Sequence, residues 1–253
     1  MAFDVAAGAY DRFMGRYSVL LSAQLADLAG VEAGQRVIDV GCGPGALTAE
    51  LVARVGADSV AAIDPSEPFV EAARARNPGA DVRLGSAEQL PFPDDTFAAA
   101  LAQLVVQFMS DPVKGVGEMA RVTRPGGAVV ACTWDHGGGQ GPLSPLWDAA
   151  RVLEPNVEGE SLRTGTSEGE LRRLFEDVGL TDVDETALSV SVEHPTFEEW
   201  WDPFTLGVWP AGVYVAGLDA EHRDALREQC RAMLPAAPFV LTARAWTGVG
   251  RAL

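Results

Sequence analysis

The sequence predicts an α/β protein whose core is a parallel, doubly wound sheet. Apolar runs typical of buried strands alternate with amphipathic helical segments over the first half of the chain, and parallel strands need such helices as crossover connections. The first strand passes directly into a turn that contains Gly41, Gly43 and Gly45. Because glycine has no Cβ, a ligand can lie against the backbone of this turn and meet the amide groups that open the next helix.

Hydrophobic periodicity and turn residues assign the elements of the first half. The second strand ends at Asp64, and the helix after it stops at Asn77-Pro78-Gly79 because these residues terminate helices. Residues 91–97, PFPDDTF, form a turn-rich loop, and residues 124–127, RPGG, are expected to form a tight turn. The predicted strands are residues 36–40, 59–63, 81–84, 98–103 and 128–134, and the predicted helices are residues 18–28, 46–54, 66–76 and 112–122.

The second half of the chain has a different character. Residues 136–145, HGGGQGPLSP, predict a flexible connector. Helices are expected at residues 145–153, 167–178 and 220–234, and strands at residues 180–193 and 239–252. A tight hairpin would suffice to join these two strands, so the aromatic-rich interval 194–238 is expected to be an added element above the ligand edge of the sheet.

Composition limits the classes of partner. The chain has 253 residues, is 47% hydrophobic and carries a formal charge of −17. This acidity argues against nucleic acid and against anionic membrane surfaces, both of which need concentrated Lys and Arg. Three widely spaced cysteines indicate neither a disulfide framework nor a zinc site, and the N-terminal residues do not resemble a signal peptide. We therefore expect a cytoplasmic protein with a small-molecule partner.

A glycine-rich turn alone also fits a dinucleotide site. Gly41, Gly43 and Ala46 match G-x-G-x-x-A, and Asp64 lies near the expected position of an acid that binds a ribose. An NAD(P)-dependent oxidoreductase is therefore one alternative. The sequence, however, has no residues typical of hydride transfer, such as Tyr-x-x-x-Lys, because the only lysine, Lys114, has no tyrosine near it. A catalytically silent cofactor-binding protein is the other alternative.

Four motifs in order resemble those of class I S-adenosylmethionine-dependent methyltransferases, in the UbiE-like small-molecule branch (methyltransferase type 11). They are DVGCGPG from Asp39, the Asp64-Pro65-Ser66 end of the second strand, GSAE from Gly85 followed by LPFPDDTF, and RVTRPGG before the fifth strand. The resemblance covers roughly residues 10–134. It implies a Rossmann-like sheet of seven strands, mostly parallel with an antiparallel last strand, and an inserted cap. It also implies S-adenosylmethionine as cofactor and methyl transfer to an O, N or C atom of a small, apolar or aromatic acceptor.

The resemblance further implies roles for individual residues in binding the cofactor. Asp39 or the turn carbonyls accept from the methionine ammonium, Asp64 holds both ribose hydroxyls, and the Ala87 amide reaches the adenine. Ser86 stands where many relatives have Asp and accepts less strongly than a carboxylate. Residues 10–18 resemble a lid, whose alternative is an ordinary packing helix. The candidate cofactor residues are Tyr10, Arg16, Asp39, Gly41, Cys42, Gly43, Asp64, Pro65, Ser86, Ala87, Glu88 and Gln103.

The acceptor side is less defined. The aromatics of the interval 194–238 predict an apolar pocket, with a packing element or a homodimer interface as the alternative. The candidate pocket residues are Trp134, Trp200, Trp201, Phe204, Trp209 and Tyr214. His136 and His194 are candidate bases, each weighed against an uninvolved surface histidine, and no metal is expected. The predicted organisation is one methyltransferase domain over residues 1–253, with a lid and helix at 1–30, a cofactor-binding core at 31–134 and a substrate cap at 194–238.

Overall fold

The chain folds around one twisted sheet that has helices on both of its faces. A computed structural model describes residue 8 and residues 11–160, 163–207 and 209–253. The strands are β1 (Val37–Val40), β2 (Val60–Asp64), β3 (Asp81–Leu84), β4 (Phe97–Gln103), β5 (Thr123–Trp134), β6 (Thr181–His194) and β7 (Phe239–Arg251). The helices are α1 (Arg16–Leu28), α2 (Ala46–Val55), α3 (Glu67–Arg76), α4 (Pro112–Val122), α5 (Ser144–Leu153), α6 (Glu170–Val178), α7 (Phe197–Trp201), α8 (Trp209–Gly217) and α9 (Ala220–Met233).

The strand order is β3-β2-β1-β4-β5-β7-β6. Strands β1 to β5 pair in parallel, whereas β7 is antiparallel to both of its neighbours. The predicted seven-stranded, mostly parallel sheet with an antiparallel last strand is therefore confirmed. The strand order reverses between β1 and β4, and in open α/β sheets the ligand site lies at such a reversal, outside the carboxyl ends of the strands.

Alternation along the strands divides the apolar residues into two cores, one on each face of the sheet. Leu101 of β4 packs with α1 and α2 on one face, and the neighbouring Ala102 packs with α4 and α6 on the other. Because side chains of a strand alternate between faces, a strand covered on both sides reads as a continuous apolar run. This property made β1, β2 and β4 visible in the sequence.

One local prediction is wrong. Residues 124–127 do not form a tight turn but belong to β5, which begins at Thr123 and pairs with β4 across a register shift between Phe97 and Ala99. Gly126 has a φ of +76°, and its N–H donates to the carbonyl of Ala252 beyond β7. The glycine bends the strand at a bulge, so the sheet continues through a segment whose composition is typical of turns.

The interval between β6 and β7 contains α7, a 3₁₀ turn (Asp202–Leu206), α8 and α9. Strands β6 and β7 pair from His194 opposite Phe239, so these helices depart from the closed end of a hairpin. Helix α9 packs on α5, and α8 reaches the carboxyl edge of the parallel strands. Among the described residues, no helix combines the length and apolarity needed to cross a bilayer.

Candidate functional site

A cavity of about 480 Å³ opens where the carboxyl ends of β1, β2 and β4 meet. Its size lies in the range of small-molecule sites. Eight candidate cofactor residues line it: Gly41, Gly43, Asp64, Pro65, Ser86, Ala87, Glu88 and Gln103. The other lining residues are Phe69, Gly85, Leu104, Val105, Phe108, Met109, Ser110 and Trp209.

The glycine-rich turn forms the floor of this cavity. The N–H groups of Gly41 and Cys42 donate to the carbonyl of Ile63, at 2.7 and 3.0 Å, which ties the turn to the end of β2. Gly41 has a φ of +75°, and a Cβ there would lie 2.5 Å from the side chain of Val105. The backbone therefore approaches the cavity at a position that has no space for a side chain. Cys42 itself does not line the cavity.

Asp64, at the end of β2, supplies a carboxylate to the cavity wall. One oxygen accepts from the Gly43 N–H at 2.9 Å and the other from the Ser66 N–H at 2.8 Å. Burial raises the pKa of this carboxyl, and the two backbone hydrogen bonds oppose the rise. Each oxygen keeps a further lone pair, so the group can accept two hydroxyl hydrogen bonds while it holds the turn.

Asp39 occupies a different place from the one expected. It lies in the middle of β1, wholly buried, and accepts a 2.6 Å hydrogen bond from the Thr48 hydroxyl of α2. Burial is the largest cause that raises its pKa to about 7, and the nearby Asp64 adds to the rise. Asp39 does not line the cavity, so the contact available to it is with the helix after the turn.

The Ser86 and Glu88 side chains lie on the third wall. The Ser86 hydroxyl is hydrogen bonded to the Glu88 carboxylate, whose other oxygen accepts from the Ser110 N–H at 2.8 Å. Burial would raise the pKa of Glu88, but these hydrogen bonds lower it overall. Glu88 therefore stays charged and joins this loop to the segment before α4. The Ser86 oxygen also accepts from the Glu88 N–H at 3.1 Å, so one of its two lone pairs remains for a further donor.

Gln103 closes the end of β4 beside α1. Its amide nitrogen donates to the carbonyl of Ser18 at 3.1 Å, while its Oε1 is buried, faces no protein donor and belongs to a residue that lines the cavity. The next residue, Leu104, has a φ of +63°. Such a conformation is strained in a branched residue and is concentrated at functional sites. The segment from Leu104 to Ser110 was missed in the sequence, although it follows the strand end where ligands bind in this fold class.

The lid residues are divided. Tyr10 lies outside the described residues. Arg16 points away from the cavity, donates to His194 Nδ1 at 3.0 Å and lines a wider, more open groove of about 1080 Å³ beside α1 and α2. Since arginine only donates, His194 carries its proton on Nε2, which lies 3.1 Å from the Tyr17 hydroxyl. With Nδ1 accepting from Arg16 and Nε2 carrying the proton, the His194 ring has no free lone pair. His194 joins α1 to the end of β6 and does not line the cavity.

Most of the predicted acceptor-pocket aromatics pack against other rings. Among them, only Trp209 lines the cavity, where it meets Phe108 edge to face at 4.9 Å. Trp200, Trp201 and Phe204 form a buried cluster, Trp134 packs on Tyr17, and Tyr214 packs on Trp147. For these five, the packing alternative describes their geometry.

His136 is buried beside an acid that the sequence did not reveal. Its Nε2 lies 3.6 Å from Glu160 Oε2, and both side chains are at most 3% exposed. Burial lowers the pKa of His136 to about 4 and raises the pKa of Glu160 to about 7. Neither residue lines the cavity directly. Glu160 lies in a loop of unremarkable polar composition, so no motif signalled it.

Comparisons with known proteins agree with this geometry. The sequence model of a family described as a methyltransferase domain matches residues 38–131. Demethylmenaquinone methyltransferase of Renibacterium salmoninarum is 32% identical over 171 residues, which cover 62% of this chain and 71% of that protein. The protein of the same name from Paenarthrobacter aurescens is 30% identical over 175 residues, which cover 62% of this chain and 66% of the relative. The chain thus spans about two thirds of the length of these relatives.

Solved structures show the same fold at low identity. The YcgJ protein of Bacillus subtilis is 20% identical, with a TM-score of 0.58 over 93% of this chain and 98% of that one. Geranyl diphosphate C-methyltransferase of Streptomyces coelicolor, in complex with Mg²⁺, geranyl diphosphate and S-adenosylhomocysteine, is 16% identical, with a TM-score of 0.54 over 92% and 78% of the two chains. At these identities the likeness concerns the fold.

Proposed function

This chain belongs to the S-adenosylmethionine-dependent methyltransferases, and from that premise we propose that it transfers a methyl group to an O, N or C atom of a small, apolar or aromatic molecule. When bound, S-adenosylmethionine supplies an electrophilic methyl group on a sulfonium. The observation that carries the proposal is the Asp64 carboxylate, fixed by two backbone N–H groups beside a glycine turn whose Gly41 has no space for a Cβ. The Asp64 carboxylate suits a ribose, and the glycine turn suits a ligand moiety that lies directly against the backbone.

The residues of the cavity fit the cofactor in chemistry. Asp64 would accept from the two ribose hydroxyls, and the buried Oε1 of Gln103 would accept from the methionine ammonium. The Ala87 backbone and the Ser86 hydroxyl would face the adenine. A diphosphate would be disfavoured, because Asp64 and Glu88 line the cavity and none of the described lining residues is Lys or Arg. This charge distribution favours the sulfonium cofactor over a dinucleotide.

The acceptor would occupy the end of the cavity that the cofactor residues leave open. Leu104, Phe108 and Trp209 would give this part of the cavity an apolar, partly aromatic wall. Two of the curated relatives are named for demethylmenaquinone, which supports an apolar ring as the accepting group. The wall can orient such a ring for in-line attack, and positioning alone can account for a large part of the rate. We further propose that the protein is cytoplasmic and forms a homodimer.

Calorimetric titration with S-adenosylmethionine, S-adenosylhomocysteine and NADH tests the cofactor proposal. We expect the first two to bind and Asp64→Asn to weaken their binding by about 10- to 100-fold, since charge-assisted hydrogen bonds contribute about 1.5–3 kcal/mol. The matched control is Asp58→Asn, which changes an exposed acid before β2. Binding of NADH alone would refute the proposal.

A second experiment separates an enzyme from a silent binding protein. The protein is incubated with methyl-labelled S-adenosylmethionine and a panel of hydroxylated and amino-substituted naphthalenes and quinols. Label in an acceptor, lost in Asp64→Asn, supports transfer. Tight cofactor binding without transfer to any member would favour the silent protein.

A further inference from the structure

The segment that follows β4, residues 104–110, forms one wall of the cavity, and we call it the wall segment. Hydrogen bonds fasten it at both ends. The N–H of Leu104 donates to the carbonyl of Cys132 in β5 at 2.9 Å, and the N–H of Ser110 donates to the Glu88 carboxylate at 2.8 Å. All of its residues except 106 and 107 line the cavity. The position of its middle therefore helps to shape this wall.

The middle of the wall segment is a 3₁₀ turn, Val106–Phe108. Gln107 is buried, and its side-chain amide forms no hydrogen bond with the part of the chain that the structure describes. This side chain therefore does not fasten the turn. Since the segment also begins at a strained residue, Leu104 with a φ of +63°, it needs other contacts to keep one position.

Arg163, on the loop before α6, supplies contacts to this turn. Its Nη1 donates a long hydrogen bond, 3.4 Å, to the carbonyl of Gln107. Its guanidinium carbon lies over the Phe108 ring, 5.1 Å from the ring centroid. A guanidinium attracts an aromatic face at this distance through both its charge and its planar shape. One side chain thus contacts two adjacent residues of the turn.

The backbone of Arg163 is itself fixed to the end of β5. Its carbonyl accepts from the Thr166 hydroxyl at 2.7 Å, and its N–H donates to the carbonyl of Glu160 at 3.3 Å. The carbonyl of Thr166 in turn accepts from the N–H of Gly137, just past β5, at 2.9 Å. Arg163 therefore extends from a fastened loop, and its side chain links that loop to the wall segment.

The Phe108 ring also meets an aromatic neighbour from the interval between β6 and β7. The Trp209 indole packs on it edge to face, with the ring centroids 4.9 Å apart and the planes at 88°. Such pairs depend on the orientation of both rings. Both residues line the cavity. A displacement of Phe108 would therefore change the aromatic surface that faces the cavity.

We infer that Arg163 is a positioning residue that sets the place of the Phe108 ring in the cavity wall and thereby the fit of an aromatic acceptor. Arg163 does not line the cavity, so it acts through Phe108 and not by touching the acceptor. The inference rests on the proposed function, because it needs an acceptor that packs on Phe108. The hydrogen bonds that fix Asp64 come from Gly43 and Ser66, so cofactor binding should not depend on Arg163.

The test measures the binding of 2-naphthol to protein saturated with S-adenosylhomocysteine, by titration calorimetry. We expect Arg163→Gln to raise the Kd of 2-naphthol about 3- to 10-fold, the range expected for the loss of one cation–π contact. Arg163→Lys keeps the charge and should raise it less. The Kd of S-adenosylhomocysteine should stay unchanged. The matched control is Arg173→Gln, which changes an exposed arginine of α6 and should alter neither Kd.

A double-mutant cycle separates positioning from a general structural role. If Arg163 acts through Phe108, then Arg163→Gln should add little to the Kd of 2-naphthol once Phe108→Leu is present. Equal weakening in both backgrounds overturns the inference. So does an unchanged Kd of 2-naphthol in Arg163→Gln, or an equal loss of affinity for S-adenosylhomocysteine and 2-naphthol.

Fluorine NMR of protein labelled with 4-fluorophenylalanine tests the same contact without any ligand. Phe108→Leu assigns the resonance. Arg163→Gln should shift it and Arg173→Gln should not, and Arg163→Lys gives the comparison if the glutamine variant does not fold. A Phe108 resonance that stays in place when Arg163 is replaced overturns the inference. Failure of 2-naphthol or of S-adenosylhomocysteine to bind the unmodified protein refutes the proposed acceptor or cofactor instead, because the resonance is read without either.

Discussion

Glutamine in place of Glu160 is expected to make the stability of the protein less dependent on pH. Burial raises the pKa of this acid from 4.5 to about 7, so between these values the native protein keeps a proton that the unfolded chain has lost. The stability that the neutral acid contributes is fully present below about pH 4.5 and is lost as the pH rises through about 7. At about 1.4 kcal/mol for each pH unit, the loss is about 3 kcal/mol at most.

The measurement is the free energy of unfolding by urea at pH 5 and pH 8.5, for the unmodified protein and for Glu160→Gln. Subtracting the pH 5 difference from the pH 8.5 difference removes effects of the substitution that do not depend on pH, and also the parallel contribution of Asp39. We expect the variant to gain about 2–3 kcal/mol relative to the unmodified protein over this range. Equal pH dependence of the two proteins would falsify the argument, because it would mean that the carboxyl is hydrated or paired in the folded state.

Three further predictions concern the frame of the site. Gly45→Ala should lower the free energy of unfolding by about 2 kcal/mol or more, because Gly45 has a φ of +89° and a Cβ there would lie 3.2 Å from the α3 backbone. Gly34→Ala is the control, because Gly34 has a similar φ of +86° but open space around it, so this variant measures the backbone strain without the steric clash. His194→Ala should cost about 2–4 kcal/mol in thermal unfolding because it removes a buried ring and two hydrogen bonds, whereas the exposed His222→Ala should change little. The Cys42 thiol should react with iodoacetamide at pH 7.5 at least tenfold more slowly than free cysteine, since burial and neighbouring carboxylates raise its pKa; rapid modification of the native protein would contradict this.

The fold was readable from sequence where burial on both faces of a strand produced unbroken apolar runs. β1, β2 and β4 are of this kind, and their predicted positions agree with the structure within one residue. Helix ends agreed less well where a glycine changes the backbone. α6 begins at Glu170 rather than at residue 167, because Gly169 has a φ of +80° and caps the helix there. The bulge at the start of β5 could not be predicted from the sequence, because glycine is found in turns and in bulged strands alike.

The site divides along a similar line. Gly41, Gly43 and Asp64 could be found because each belongs to a local motif at the end of a strand, the glycines after β1 and Asp64 at the end of β2. Asp39 belongs to the same motif, yet it is wholly buried within β1 and accepts a hydrogen bond from Thr48 of α2. A motif gives residue types and spacing, and the packing around the strand decides which of them line the cavity.

The acceptor side depends on packing between distant segments, and composition is a poor guide there. Six aromatics suggested a pocket, but five of them stabilise one another or the core, and the sixth, Trp209, lines the cavity. Glu160 left no signal at all, because an acid in a polar loop becomes chemically distinctive only when distant parts of the chain bury it, here beside His136 at 3.6 Å. That burial raises the pKa of the acid to about 7, and it follows from the packing of the folded chain rather than from the residues beside Glu160 in the sequence.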